Sequence, residues 1–293
     1  MITFTKNIKF YDEEGIPVTF FYYTGKKIYA HPTSIAQWGL ASIQKYLRTH
    51  QIRHLASFKK ACEWFVKKGL QQDGALFFPL NFDHPAYCLK KPWRSAMTQG
   101  EAVSLLVRGF LYFKKNKYLK AAEDAFKSFE KAEWGMLVHD KHGYWLEEVP
   151  SQPPSHILNG MIFAMYGIYD LFLATKKNFY LDFFKKVANT LAENLQLYDL
   201  GYWSRYDLLF GLPASKIYHS LHIQQLASLY YITSNEIFRK YYQLFQNYLR
   251  PYNRYKTDLV CGVKSFSLNM RRLRKKLLGY YLLQVKLRAL RLI

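Results

Sequence analysis

Residues 157–195 read ILNGMIFAMYGIYDLFLATKKNFYLDFFKKVANTLAENL, and this stretch decides the fold. From Ile157 to Phe172 it is apolar almost all round, with small residues scattered through it. That is the pattern of a helix buried on every side. From Phe179 to Leu195 the apolar positions fall at i, i+3 and i+4, with lysines on the other face. That is the pattern of a helix lying at a surface.

The same alternation extends in both directions. Buried-type segments begin near Ile35 (IAQWGLASIQKYL), Ala96 (AMTQGEAVSLLVRGFLYF), Ile157 and His219 (HSLHIQQLASLYYI), with starts about sixty residues apart. Surface-type segments lie between them: SFKKACEWFVKKGL, YLKAAEDAFKSFEKA, the stretch from Phe179, and EIFRKYYQLFQNYL. Buried and surface helices alternating at a fixed period predict stacked helical hairpins. The expected fold is all-α: an (α/α) toroid or barrel of about four helical hairpins over residues 33–250. Residues 1–32, with an EEG turn between β-formers, predict a short N-terminal β-hairpin arm. Residues 251–293 form a basic C-terminal tail.

The 293 residues are half hydrophobic, which is ample for a core and excludes a disordered chain. Cys62, Cys88 and Cys261 are an odd set without metal spacing, so the sequence suggests a reducing compartment and no disulfide framework. The first fifteen residues lack the apolar stretch of a signal peptide, and no run of ~18 apolar residues suggests a spanning helix. A cytoplasmic location is expected, peripheral to a membrane if the tail engages one. The formal charge of +21 calls for an anionic partner. From Arg254 onward there are eleven Lys or Arg against one Asp. This tail reads equally as a basic amphipathic helix on an anionic membrane or as a terminal helix with solvated charges. No nucleic-acid motif is present, so DNA and RNA are not expected partners. The sequence leaves a homodimer open.

In a toroid the loops leading into the inner helices gather at one mouth, where a ligand site is expected. Here they are long and hold Pro, Gly, Trp, Tyr, Asp and His: GALFFPLNFDHPAYCLKKPWRSAM, WGMLVHDKHGYWLEEVPSQPPSHILNG and YDLGYWSRYDLLFGLPASKIYHSLH. Such loops suggest function, and their residue types suit stacking on sugar rings and bonding to hydroxyls.

Short motifs in these loops carry a family resemblance. WRSAMTQG, from Trp93 to Gly100, resembles the W-x-S-A-M-x-Q-G run of glucuronyl C5-epimerases. WLEEVP (Trp145 to Pro150) is similar to their W-Y-E-E-Y-P, and SHILNG (Ser155 to Gly160) to their S-x-x-L-N-G. Tyr206, Asp207 and Leu208 match their Y-D-L. YHSLHIQQL (Tyr218 to Leu226) resembles Y-H-x-x-H-I-x-Q-L, and HPTSIAQWGL (His31 to Leu40) resembles N-P-x-x-I-A-Q-Y-G-L. The matches fall in order across residues 30 to 250.

The resemblance implies an (α/α) barrel and epimerisation at C5 of glucuronic acid within a heparan- or heparosan-type polymer. It assigns catalytic roles to Glu148, Tyr206 and Tyr218. The tyrosine that follows the catalytic Glu in the animal enzymes is Val149 here, and the Arg three residues after the first tyrosine of Y-D-L is Leu209. The β-rich domain that precedes this region in those enzymes has no counterpart in these residues.

The chemistry makes its own demands. C5 of a uronate carries a proton next to a carboxyl group. Inverting that centre needs two proton carriers on opposite faces of the ring. It also needs donors for the charge that develops on the carboxylate. Glu148 and Tyr218 supply the carriers, with Tyr206 as donor or relay. Arg205, Lys216, His219 and His222 are candidates for holding the carboxylate. Trp93, Gln99, Trp145, Glu147 and Asn159 complete the candidate substrate-binding set. No cofactor is called for, since no Gly-rich phosphate loop or dinucleotide pattern occurs. His219 and His222 are spaced i, i+3 but lack an evident third ligand, so no metal is expected.

Each residue has a plainer reading. Any of the 25 tyrosines is more often core or surface. Glu147 reads as a loop clamp, Gln99 and Asn159 as partners of buried backbone, the two histidines as ties between helix and loop, and Gly100 and Gly160 as room for helix packing. The leading expectation is a polysaccharide uronate C5-epimerase acting on an acidic, uronate-containing polysaccharide. The alternatives are a uronate lyase, which shares the proton abstraction, and a catalytically silent polysaccharide-binding protein.

Overall fold

The computed structural model describes residues 10–20, 28–257 and 259–260. Four helical hairpins follow one another: α1 (Pro32–Thr49) with α2 (Ile52–Lys68), α3 (Ala96–Phe113) with α4 (Asn116–Phe126), α5 (Leu158–Thr175) with α6 (Asn178–Asn194), and α7 (Lys216–Thr233) with α8 (Glu236–Asn247). The odd-numbered helices are the inner layer. They pack in chain order, α1 on α3, α3 on α5 and α5 on α7, and each carries its partner on the outside. This is an α/α toroid-type architecture, and the alternation of buried and surface helices in the sequence is its cause.

The repeat is more regular in space than in sequence. All four inner helices are 18 residues long. Each ends on a left-handed residue, His50, Lys114, Lys176 or Ser234, with φ between 52° and 58°. An extended residue follows at the N-cap position of the next helix. At the other end, Ser95 and Ser215 accept hydrogen bonds from Thr98 N and Tyr218 N, satisfying free donors of α3 and α7.

The inner helices meet closely. A Cβ on Gly100 would lie 2.3 Å from the Cα of Ala164, and one on Gly167 would lie 2.1 Å from the Gly100 carbonyl oxygen. Only hydrogen on these carbons lets α3 and α5 run backbone to backbone. Polar residues link the inner helices to one another. Gln37 donates to Glu101 (3.0 Å), and Ser104 and Arg108 both bind Asp170. Burial pushes the Glu101 carboxyl up to about 8, with further help from Glu148, while Gln37 opposes the shift. α5 is as long and apolar as a membrane span, but most of it is buried in the core of this fold.

Each inter-hairpin loop carries short antiparallel pairing. β3 (Leu70–Gln72) pairs with β4 (Ala75–Phe77) across Asp73 and Gly74, and β5 (Leu137–Asp140) pairs with β6 (Gly143–Leu146). In the third loop, bridges join Asp199 to Ser204 and Arg205 to Pro213. Near the N-terminus, β1 (Thr19–Phe20) pairs with β2 (Ile28–Tyr29). Residues 251–257 are helical, and most of the basic tail lies outside the described residues.

Candidate active site

The site starts at the end of β6. The ladder runs one residue past the strand, with Glu147 N donating to Met136 O at 2.8 Å. Strand alternation sends consecutive side chains to opposite sides, and Glu147 and Glu148 part accordingly. Glu147 is fully buried. One of its oxygens accepts from Ser155 N (3.0 Å), Ser155 Oγ (2.8 Å) and His156 N (3.1 Å), and the other meets His156 Nδ1 at 2.6 Å. Its own carbonyl accepts from Ala96 N at the start of α3. Glu147 therefore clamps the 147–156 loop between two inner helices.

Glu148 turns the other way and lies across the first turn of α5. A Cβ on Gly160 would come within 2.1 Å of its Oε2 and 2.3 Å of its Cβ, so the carboxyl occupies the space that the glycine leaves. Asn159 Nδ2 donates to Oε2 at 3.3 Å. Burial pushes this carboxyl up to about 8; the charge of Glu147 adds to the shift and Asn159 opposes it. A carboxylate in this range is matched to proton transfer near neutral pH.

Two phenols converge on the same point. The backbone of Tyr206 is tied to Leu212 O and to the first residue of α5. Tyr218 stands in the first turn of α7 and is one-third exposed. Their ring centroids lie 4.9 Å apart at 64°. Burial raises the Tyr206 phenol well above its usual range, with Glu148 the next cause. Burial and Glu148 also raise Tyr218, while a hydrogen bond with Tyr206 pulls it back. The structure thus brings together the carboxyl and the two phenols that the sequence singled out, drawn from the β6–α5 loop, the α6–α7 loop and the first turn of α7.

The family model for the D-glucuronyl C5-epimerase C-terminus matches residues 72–247, which include all three groups. The chain belongs to the D-glucuronyl C5-epimerase family. Among its relatives is the D-glucuronyl C5-epimerase of Caenorhabditis elegans, 28% identical over 223 residues, which cover 69% of this chain and 36% of that protein. An uncharacterized protein of Methanocaldococcus jannaschii is 34% identical over 169 residues, covering 56% of this chain and 54% of the relative. The chain thus spans about a third to about half of the length of these relatives. In three dimensions it resembles the cellobiose 2-epimerase of Bacillus thermoamylovorans, with a TM-score of 0.56 and 11% identity, over 75% of this chain and 59% of that one. That likeness concerns the fold.

Several residues that match the C5-epimerase motifs serve the framework instead. His219 and His222, expected from the sequence to hold a carboxylate, are fully buried. His219 Nδ1 accepts from Ser204 N, its Nε2 meets Phe245 O at 2.9 Å, and its ring stacks on Trp203 at 3.7 Å. His222 Nδ1 is 2.9 Å from Ser204 Oγ. Burial lowers the two imidazoles to about 4 and about 3, so both are neutral at pH 7. Gln99 spends its amide on Phe78 N, Leu76 O, Ala125 O and Ser128 Oγ. The indole N–H groups of the buried Trp93 and Trp145 go to Phe82 O and Asp140 Oδ1. Glu147 joins them as a clamp, while His222 Nε2 is buried without a hydrogen-bond partner among the described residues.

Asn159 remains beside Glu148, and the Arg205 guanidinium lies near Gly211. Asn159 Oδ1 and Arg205 Nε are buried without a hydrogen-bond partner among the described residues. Val149 is buried in a small apolar cluster with Leu80, Phe82, Trp93 and Ile157, against which Tyr206 packs. Among the described residues no group of three or more His, Cys, Asp or Glu is arranged to hold a metal ion.

Proposed function

We propose that this domain is a polysaccharide uronate C5-epimerase acting on glucuronic acid residues of a heparosan-like polymer. The observation that carries the reading is the convergence of Glu148, raised to about 8, with two neutral phenols. In its ionised form Glu148 takes the proton from C5, and the electron pair moves into the adjacent carboxyl group as an enolate. A phenol that stays protonated well above pH 7 is a proton donor, so Tyr218 returns a proton to the opposite face and the centre inverts. Tyr206, hydrogen-bonded to Tyr218, relays protons or donates to the developing charge. With the two imidazoles neutral, Arg205 and Lys216 are the cations left to meet the carboxylate.

The relationship to the worm epimerase and the excess of positive charge over an acidic polymer both support the substrate class. A second reading, a catalytically silent binder of acidic polysaccharide, is favoured by one observation: Val149 carries no proton where the family's animal members have a phenol.

Incubation with heparosan in heavy water separates the readings. Deuterium at C5 of glucuronate or iduronate, with chain length kept, is the expected result. Ultraviolet absorbance of a 4,5-unsaturated product points to the lyase. Binding without either signal, together with exchange restored by Val149→Tyr, makes the natural protein the silent binder.

A further inference from the structure

The mouth loop between β4 and α3 contributes a phenol that the reaction scheme above does not use. Its base is pinned by two hydrogen bonds between Leu80 and Trp93, at 2.7 and 3.1 Å, and its tip is closed by His84 and Leu89. The resulting tongue ends in a one-turn 3-10 helix, Pro85–Tyr87. Tyr87 turns inward from it. Its ring packs on the cluster that holds Val149, as does that of Tyr206. Its hydroxyl donates to Asp207 Oδ2 at 2.8 Å, across 120 residues of chain. Asp207 is almost fully buried, and its other oxygen accepts from Phe210 N and Gly211 N. Beside Tyr87 stands Phe210, with ring centroids 5.1 Å apart and 45% of the Phe210 surface exposed.

We propose that Tyr87 and Phe210 form a sugar-binding platform at this mouth, contacting the residue of the acidic polymer that flanks the one being epimerised. The proposal rests on the uronate-polymer reading above and adds to it the place where the chain is gripped.

Three observations support it. An exposed phenylalanine paired with a half-buried tyrosine offers an apolar face of the kind on which a pyranose stacks. The single proton of Tyr87 is committed to Asp207, so its oxygen faces a ligand as an acceptor. A carboxylate behind a phenol polarises that oxygen and strengthens the bond it accepts from a sugar hydroxyl. The position is also right. Burial and Asp207 raise the Tyr87 phenol, and Glu148 contributes to the same shift, so the platform lies within electrostatic reach of the reacting carboxyl.

The test is calorimetric titration of a heparosan oligosaccharide into the full chain and two variants. Tyr87→Phe keeps the ring and removes the acceptor, while Phe210→Ala removes the exposed ring from a residue whose side chain holds nothing in the core. Each is expected to weaken binding roughly tenfold, the loss of one net contact. Unchanged affinity in Phe210→Ala overturns the platform, because a Tyr87 that only ties two loops together would leave that variant intact. If Tyr87→Phe fails to fold, Phe210→Ala decides alone. If both variants bind normally while the wild type takes up deuterium, the platform is wrong and the epimerase reading stands. If the wild type neither binds nor exchanges, the reading beneath it falls and takes the platform with it.

Discussion

Gly160→Ala tests the position of the proposed base without touching its chemistry. The added methyl carbon would lie 2.3 Å from Glu148 Cβ and 2.1 Å from Oε2, where ordinary contact begins near 3.4 Å. Because the clash includes Cβ and not only the flexible end, a rotamer change cannot relieve it. Glu148 must retreat by roughly 1 Å, and a displacement of that size at a reacting group costs about a hundredfold in rate. Stability moves much less. Alanine gains up to ~1 kcal/mol over glycine within a helix, against a repacking cost of about 1–3 kcal/mol. The melting temperature should therefore fall by no more than about 8 °C. The assay is deuterium at C5 of heparosan by NMR, run beside thermal melting. A folded Gly160→Ala protein that exchanges at more than about half the wild-type rate would refute the assignment of Glu148 as the base at this position.

Glu148→Gln and Tyr218→Phe should each abolish deuterium uptake, and Tyr206→Phe should cut it severely; rates measured at saturating polymer check all three. Since Glu148 must be ionised to act as a base, uptake should rise with pH through about 8. The folded-state values of Glu148 and Glu101 exceed the ordinary 4.5, so the folded chain holds more protons than the unfolded chain between that value and about 8. Their contribution to stability therefore declines as pH rises through that window, and melting temperatures at pH 6 and 8.5 should show it, with a smaller drop in Glu148→Gln. Gly100→Ala forces α3 off the backbone of α5 and should destabilise the fold by about 1–3 kcal/mol, read from urea unfolding. Lys176→Gly, at a left-handed position between α5 and α6, should instead gain up to about 1 kcal/mol in the same assay.

The helices were legible because burial leaves a periodic trace. Segments apolar all round became α1, α3, α5 and α7, and segments with a single apolar stripe became their outer partners. The small β-hairpins of the inter-hairpin loops were not read, although Asp73–Gly74 is the dipeptide that favours a two-residue hairpin turn. The reactive trio was legible through motif resemblance and not through pattern, since nothing in the spacing of Glu148, Tyr206 and Tyr218 shows that the two mouth loops meet there. Where a polar side chain spends its hydrogen bonds leaves no trace in one dimension. Gln99, Glu147 and His219 look like binding residues until their partners are counted. Gly160 reads as a helix-packing glycine, but it makes room for a carboxyl. Tyr87 and Phe210 went unnoticed among many aromatics; the signal available was an aromatic in a Pro-containing loop close to a buried acid.

The opposed directions of Glu147 and Glu148 make this site sensitive to parity. The clamp and the base are neighbours in the chain and are told apart only by which side of an extended backbone each one leaves. Sliding the chain by one residue within β6 would turn each carboxyl to the opposite side, so that only one of the two positions would still hold a glutamate. Sliding by two restores each side chain to its own face. Changes in the β5–β6 hairpin that shift its register by one residue should therefore abolish exchange, so that the reading frame of the hairpin, as much as the identity of any residue, selects which carboxyl faces the site.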